Sequence, residues 1–254
     1  MSNDNDIPQK VSIASTDENN AYQGLVRLFR ECPLPDSEVL KDVSMFLNRP
    51  SLSHILFMGE IYKQIIDVHG CVFEFGVKWG RTMSLLTTLR HIYEPYNTGR
   101  RIIGFDTFTG FPSVSEQDGS HKAIQEGGLA VTPGYESYLE ELLTYQEQLA
   151  PRSHIKKFEL RKGDATVTFK EYLEEHPEAL CALAYFDFDL YEPTKVCLEL
   201  LKDRLTKGSI IVFDQLTWDV FPGETIAFQE VLGANNYRVR RSPLSHYSSY
   251  IVIE

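Results

Sequence analysis

The sequence predicts an α/β chain built on a mostly parallel sheet, with an antiparallel hairpin at its C-terminal edge and a helical cap at its N-terminus. Three observations carry this prediction. From Gly70 onward, short apolar, β-rich runs alternate with runs of helical period, the pattern of strand-helix-strand units packed on both faces of a parallel sheet. Before Gly70, apolar residues recur at three- and four-residue spacing with no strand-like run among them. After Asp214, one helical stretch is followed by two short β-rich runs with no crossover helix between them, which suits antiparallel closing strands.

The elements follow in order. "YQGLVRLFREC" and "DSEVLKDVSMFL" both read as helices, the second after Asp36 and Ser37 as caps, and "SHILFMGEIYKQIIDV" carries the same period to Val68. Residues 1–69 therefore form the expected cap, with the first dozen or so predicted to be disordered. Residues 70–254 form the α/β domain. Its strands are expected in "CVFEFG", "RIIGFD", "IKKFELRKGD", "LCALAYFDFD" and "GSIIVFD", with helices from about Thr82, Gly134, Thr166 and Glu192. A helix in "ETIAFQEVLG", a strand near "YRVRR" and a final strand in "SSYIVIE" complete the chain. The segment 109–135, rich in Gly, Pro and Ser, follows a strand's carboxyl end, where open α/β sheets bind ligands, so it is a candidate lid.

Composition narrows the function. A chain of 254 residues with 43% hydrophobic residues can bury a full core as one elaborated domain. The net charge of -11 and the absence of a basic run argue against a nucleic-acid partner, so an anionic substrate must meet a local basic pocket. The polar start "MSNDNDIPQK" lacks an apolar signal core and no window reaches membrane-span length, which predicts a cytoplasmic protein with no membrane partner. Cys32, Cys71, Cys181 and Cys197 are too far apart for a zinc or redox motif and read as buried free thiols.

"VFEFGVKWGRT" is a strand, a glycine turn and a helix start. Gly76 and Gly80 allow close approach of a ligand, and the helix start near Arg81 offers free N–H groups. The spacing is not G-x-G-x-x-G, which disfavours a dinucleotide, and Glu74 suits a cationic or amino-bearing ligand. Asp106 ends the next strand, where a carboxylate can accept from ribose hydroxyls. Asp164 ends the following one, where it can meet an adenine amine or serve as a helix cap. This ordered set describes an S-adenosylmethionine pocket on a Rossmann-like, class I methyltransferase fold.

"ALAYFDFDLYEPT" raises a separate question. If it is a strand to its end, Asp187 and Asp189 share a face and repel. Asp187 closes one strand and Asp214 the next, with Gln215 beside it, so Asp187, Asp214 and Gln215 can converge on one point. Their oxygen donors select a hard divalent cation such as magnesium or calcium over zinc. The alternative makes Asp187 and Asp189 helix caps with Lys195 neutralising one of them.

"EFGVKWGRT", "GFDTFTGFP", "KGDATVTF", "FDFDLYEPT" and "VFDQ" together resemble, in order, the motifs of the TylF-like macrocin O-methyltransferases, magnesium-dependent enzymes that methylate sugar hydroxyls in antibiotic biosynthesis. The resemblance runs from about Gly70 to the C-terminus. It implies metal ligation by Asp187, Asp214 and Gln215 and a general base at Asp189. It places Glu74, Gly76, Lys78, Gly80, Arg81, Thr82, Asp106, Thr107, Phe108, Asp164, Ala165 and Asp187 in the cofactor site, and Tyr191 and His246 at the substrate. The implied acceptor is a TDP-linked deoxysugar such as TDP-rhamnose at its 3-hydroxyl, and the implied assembly a homo-oligomer. Gln215 departs from the family, which usually has a second aspartate there; Asp219 or Glu224 could supply the missing carboxylate. Lys122, Arg238, Arg240, Arg241 and His246 are the cations available to a diphosphate. The rival readings are a catechol-type methyltransferase with an apolar slot for an aromatic diol, a non-catalytic cofactor-binding protein and, against the glycine spacing, a nicotinamide dehydrogenase.

Overall fold

The structure, a computed structural model, describes residues 14–245 and 247–254. The expectation of disorder in the first dozen residues and the substrate role of His246 lie outside the described residues.

Helix α1 (Thr16–Arg30) starts at Ser15, whose hydroxyl oxygen accepts from the Glu18 N–H while the Glu18 carboxylate accepts from the Ser15 N–H. The run expected as one helix from Asp36 is two pieces, α2 (Asp36–Lys41) and a short 3-10 turn over Val43–Phe46. Helix α3 (Arg49–Gln64) is capped by Asn48, with Pro50 in its first turn, and turns His54, Phe57, Met58, Ile61 and Tyr62 inward.

The domain then runs β1 (Cys71–Phe75), α4 (Arg81–Tyr93), β2 (Ile102–Asp106), α5 (Tyr135–Gln148), β3 (Phe158–Lys162), α6 (Ala165–Glu175), β4 (Cys181–Phe186), α7 (Tyr191–Leu201), β5 (Leu205–Phe213), α8 (Gly223–Val231), β6 (Arg240–Arg241) and β7 (Ser249–Val252). Among the described residues one sheet of seven strands has the order β3-β2-β1-β4-β5-β7-β6. The first five are parallel, and β7 runs antiparallel to both β5 and β6, which is the expected closing hairpin. The "YRVRR" strand shrinks to two residues at the open edge.

Each central strand is apolar on both faces. Val72, Ile102, Leu183, Ile210 and Val212 meet α3, α4 and α5 on one side. Phe73, Phe75, Ile103, Phe105, Ala184, Phe186, Ile211 and Phe213 meet α6, α7 and α8 on the other. Cys71, Cys181 and Cys197 are buried and free as expected, Cys32 less so, and burial pushes the first three thiols' pKa values up. The strand order reverses between β1 and β4, so a crevice opens at their carboxyl ends.

Candidate active site

Strand β2 carries Phe105 one residue before its end, and strands β1, β4 and β5 end in Phe75, Phe186 and Phe213. These rings stack across the sheet with centroids 5.3 Å, 4.6 Å and 5.6 Å apart in that order. The residues that follow are Asp106 within β2 and, just past their strands, Gly76, Asp187 and Asp214. One aromatic ladder thus fixes four backbone positions side by side beneath the crevice.

The glycine turn is tied to both of its neighbours. Gly76 has φ +93°, and a Cβ there would lie 2.1 Å from the Asp187 carbonyl oxygen, so glycine is required for the two chains to touch. The Lys78 N–H donates to Asp106 Oδ2 at 2.7 Å and the Phe108 N–H to Oδ1 at 2.6 Å, with Lys78 and Phe108 at φ +50° and +57°. Asp106 is at the expected strand end. Each of its oxygens already accepts a backbone amide and keeps further lone-pair capacity for a hydroxyl. Burial raises its pKa, opposed by those amides. The Thr107 hydroxyl turns back to the Gly110 carbonyl at 2.6 Å.

Glu74 is 1% exposed and its Oε2 has no protein partner. Burial and then Asp106 push its pKa well up, against a hydrogen bond from the Met83 backbone and the charge of Arg81. Gly80 caps α4 at φ +74°, exposed Arg81 opens the helix, and the buried Thr82 hydroxyl lies 3.0 Å from His54 Nε2. Helix α3 therefore reaches the first turn of α4, directly after the glycine turn. Asp164 caps α6, accepting from the Thr166 N–H at 2.9 Å and its hydroxyl at 2.7 Å, with Ala165 buried behind it.

The acidic cluster departs from the sequence expectation in one respect. Strand β4 stops at Phe186, and Asp189 lies at φ +63° in the loop beyond, so strand alternation does not set the relation of Asp187 to Asp189. The charges still converge. Burial, Asp214, Asp189 and Glu224 all push the Asp187 pKa well up, with Arg81 opposing. Asp214 continues β5, its N–H donating to the Phe186 carbonyl at 2.9 Å. Its Oδ1 accepts from the Tyr185 hydroxyl at 2.6 Å and the Ser248 hydroxyl at 3.2 Å. Gln215 is buried and its amide nitrogen donates to Asp189 Oδ1.

Of the two candidates for a further carboxylate, Asp219 is exposed, whereas Glu224 is fully buried under the loop. Glu224 Oε1 accepts from the Phe188 and Asp189 N–H groups at 3.0 and 3.2 Å, and its Oε2 has no protein partner. Burial, Asp189 and Asp214 raise its pKa well above the usual range. Among the described residues no group of three or more His, Cys, Asp or Glu side chains is arranged to hold a metal ion. The expected set has two carboxylates and an amide, and the mutual repulsion of the acids around it fits a hard divalent cation in donor chemistry.

Lys195 does not neutralise either aspartate of the loop. Its ammonium donates to the Tyr191 hydroxyl at 2.8 Å and pairs with Glu230 at 3.1 Å, because α7 and α8 pack side by side there. The Tyr191 hydroxyl donates to Glu230 at 2.6 Å, so its polar tip belongs to this helix-helix contact. Lys122 lies in the segment 109–135. Arg240 and Arg241 lie on the edge strand, Arg241 level with Phe213 through Ser249, and Arg240 pairs with Glu254 at 3.4 Å.

Sequence reasoning missed Tyr185, Ser248 and Asp118. Tyr185 could have been found as the polar-tipped residue two places before Asp187 in an otherwise apolar run. Ser248 and Asp118 carry no such signal.

The segment 109–135 is docked through a small apolar cluster of Phe111, Ala123, Leu190 and Phe221. Its Asp118 accepts a short hydrogen bond from the Tyr191 N–H.

No protein-family model and no curated protein matches the chain. Solved structures do. The chain is similar to CalS11, a calicheamicin methyltransferase, at 40% identity over 98% of this chain and 99% of that one, with a TM-score of 0.93. A second structure of CalS11, in the apo state and described as a TDP-rhamnose 3'-O-methyltransferase, aligns at 38% identity over 96% and 99% of the two chains with a TM-score of 0.84. The O-methyltransferase NovP shares the fold at 16% identity, with 79% of each chain covered and a TM-score of 0.56.

Proposed function

Because the chain belongs to the family of CalS11, as its resemblance to the macrocin O-methyltransferases anticipates, we propose that it is an S-adenosylmethionine-dependent sugar O-methyltransferase. The proposed acceptor is a TDP-linked deoxysugar, TDP-rhamnose at its 3-hydroxyl, in antibiotic biosynthesis, with magnesium as the metal. The observation that carries the reading is the converging set of Asp187, Asp214, Gln215 and Asp189 beside the Gly76 turn, at the switch point of the sheet.

Glu74 would take the cofactor's amino group, since its unpartnered buried oxygen calls for a donor. Asp106 would accept from the ribose hydroxyls while holding the Lys78 and Phe108 amides, and Asp164 would stand near the adenine. The bound cofactor supplies an electrophilic methyl group. Asp187, Asp214 and Gln215 would hold the cation, which supplies positive charge that lowers the pKa of a sugar hydroxyl. Asp189 would accept the proton of the hydroxyl that is methylated, and Gln215 orients it. The segment 109–135 would exclude water from the crevice, and Lys122 and Arg241 are the candidates to meet the diphosphate. Apolar side chains exposed on the N-terminal region, Leu28, Phe29, Leu40 and Met45 among them, support a homo-oligomer. No described helix is long and apolar enough to cross a membrane.

Incubation with S-adenosylmethionine, magnesium and TDP-rhamnose, followed by mass spectrometry, should give a sugar nucleotide heavier by one methylene. It should give none in EDTA. Cofactor binding by calorimetry without any methylated product from TDP-sugars would sink the assignment.

A further inference from the structure

The loop that carries Asp189 joins β4 to α7; past Asp187, whose N–H still donates to the Phe75 carbonyl at 2.8 Å, its backbone N–H groups lie beyond the sheet ladder and before the helix ladder. Two of them, and the first N–H of α7, are satisfied by two carboxyl groups from distant parts of the chain. Glu224 Oε1 accepts from Phe188 at 3.0 Å and from Asp189 at 3.2 Å. Asp118 Oδ1 accepts from Tyr191. The other oxygen of Asp118 accepts from the Ser115 N–H at 2.6 Å and the Ser115 hydroxyl at 2.8 Å, which closes the short turn that carries it. Glu224 is 0% exposed and Asp118 is 1% exposed, so neither acid is simply solvated there. Gly223 sits between them. A Cβ at that position would come within 2.5 Å of the Tyr191 nitrogen and 2.6 Å of Asp118 Oδ1.

We propose that Glu224 and Asp118 are positioning residues that act as a paired clamp on the backbone of residues 188–191 and so fix the direction of the Asp189 carboxylate. The proposal rests on the reading of Asp189 as the base. Asp189 adopts a left-handed backbone, φ +63°, which a non-glycine residue keeps when its surroundings hold it there. The Glu224 oxygen bonded to its amide supplies that hold. Asp118 holds the far end of the loop. It can do so only while the segment around it is docked through Phe111 and Ala123 on Leu190 and Phe221, so the segment 109–135 is coupled to the base. The clamp needs an acceptor oxygen at a set reach; it does not need a negative charge.

Glu224→Gln, Glu224→Asp and Asp118→Ala separate these requirements. Glutamine keeps the reach and the acceptor without the charge, whereas aspartate keeps the charge and withdraws the acceptor by one methylene. Amide hydrogen exchange over residues 186–192 should speed up at Phe188 and Asp189 in Glu224→Asp and at Tyr191 in Asp118→Ala. Both variants should lose about a hundredfold in kcat, the scale of a small misplacement of a reacting group, at an unchanged KM for S-adenosylmethionine. Glu224→Gln should recover most of that turnover and the slow exchange. A Glu224→Gln protein as impaired as Glu224→Asp, or unchanged exchange at all three amides, would overturn the clamp. The exchange readout requires no acceptor, so a wild-type protein with slow exchange at these amides but no methyl transfer would refute the assigned reaction while leaving the clamp in place.

Discussion

At the scale of single residues, the acids define the chemistry and also what it costs the fold. Asp189→Asn removes the proposed base without changing side-chain size. Single-turnover transfer at saturating metal and cofactor should fall by about 10² to 10⁴, the range of general base catalysis. An unchanged chemical step would remove Asp189 from its role. The raised pKa values of Asp187 and Glu224 make a second expectation, and the sign follows from the neutral forms being the ones the fold prefers. Their contribution is fully present below the ordinary values of 3.8 and 4.5 and is lost as pH rises through the raised folded values. A divalent cation reverses this by stabilising the ionised carboxylates. The rise in Tm on adding magnesium to EDTA-treated protein should therefore grow with pH across and above the carboxylate range. Asp187→Asn should raise the Tm of the metal-free protein while lowering its response to magnesium. A magnesium response independent of pH would count against a site built from these acids.

At the scale of elements, the site is assembled by strand ends, and this is where the sequence was most legible. "FEFG", "GFD", "YFD" and "VFD" each bring an aromatic residue to the last or, in β2, the last but one position of a strand, and a glycine or an aspartate directly after it. The ladder of Phe105, Phe75, Phe186 and Phe213 is the physical content of that repetition. The reading failed where local alternation stopped being the deciding force. "FDFD" continues the strand pattern on paper, but the chain leaves the sheet after Asp187, whose N–H still donates to the Phe75 carbonyl, because the tertiary acceptor Glu224 takes the amides of Phe188 and Asp189. Asp118 was illegible for a related reason, since its partner Tyr191 is 73 residues away and no local spacing encodes such a bond. The glycine turn offers a direct check. Gly76→Ala must fit a Cβ 2.1 Å from the Asp187 carbonyl oxygen at φ +93°, so the β1 turn or the acidic loop has to move. The expected loss is at least about 3 kcal/mol in denaturant unfolding, combining backbone strain with overpacking. A variant of wild-type stability would mean that the two turns are not pressed together.

At the scale of the whole molecule, the last helix before Gly70 shares its core with the sheet. Helix α3 puts Phe57, Met58, Ile61 and Tyr62 into the same core as β1, β4 and β5. A buried polar network then ties it to the sheet. The Tyr62 hydroxyl donates to Glu94 at 2.7 Å, and Arg100 pairs with Glu94 at 2.9 Å. The same guanidinium donates to the carbonyls of Ile65 and Val68 at 2.8 Å and of Gly70 at 2.6 Å. Burial disfavours the charged Glu94, yet its hydrogen bonds from Arg100 and Tyr62 hold its pKa below the usual carboxylate value, so its stabilising effect is present above 4.5 and fades as pH falls through the lowered value. Glu94→Ala would leave the buried Arg100 guanidinium without its counter-charge and its Nε without an acceptor, and the buried Tyr62 hydroxyl without its acceptor. Breaking a buried pair from one side costs roughly 3 to 5 kcal/mol, and the denaturant midpoint should drop accordingly with the slope unchanged. Because α3 also carries His54 to the Thr82 hydroxyl at 3.0 Å, the same variant should weaken S-adenosylmethionine binding. Loss of stability with cofactor affinity intact would mean that the network serves the fold alone, and an unchanged midpoint would mean that the apolar face of α3 is sufficient to hold the cap in place.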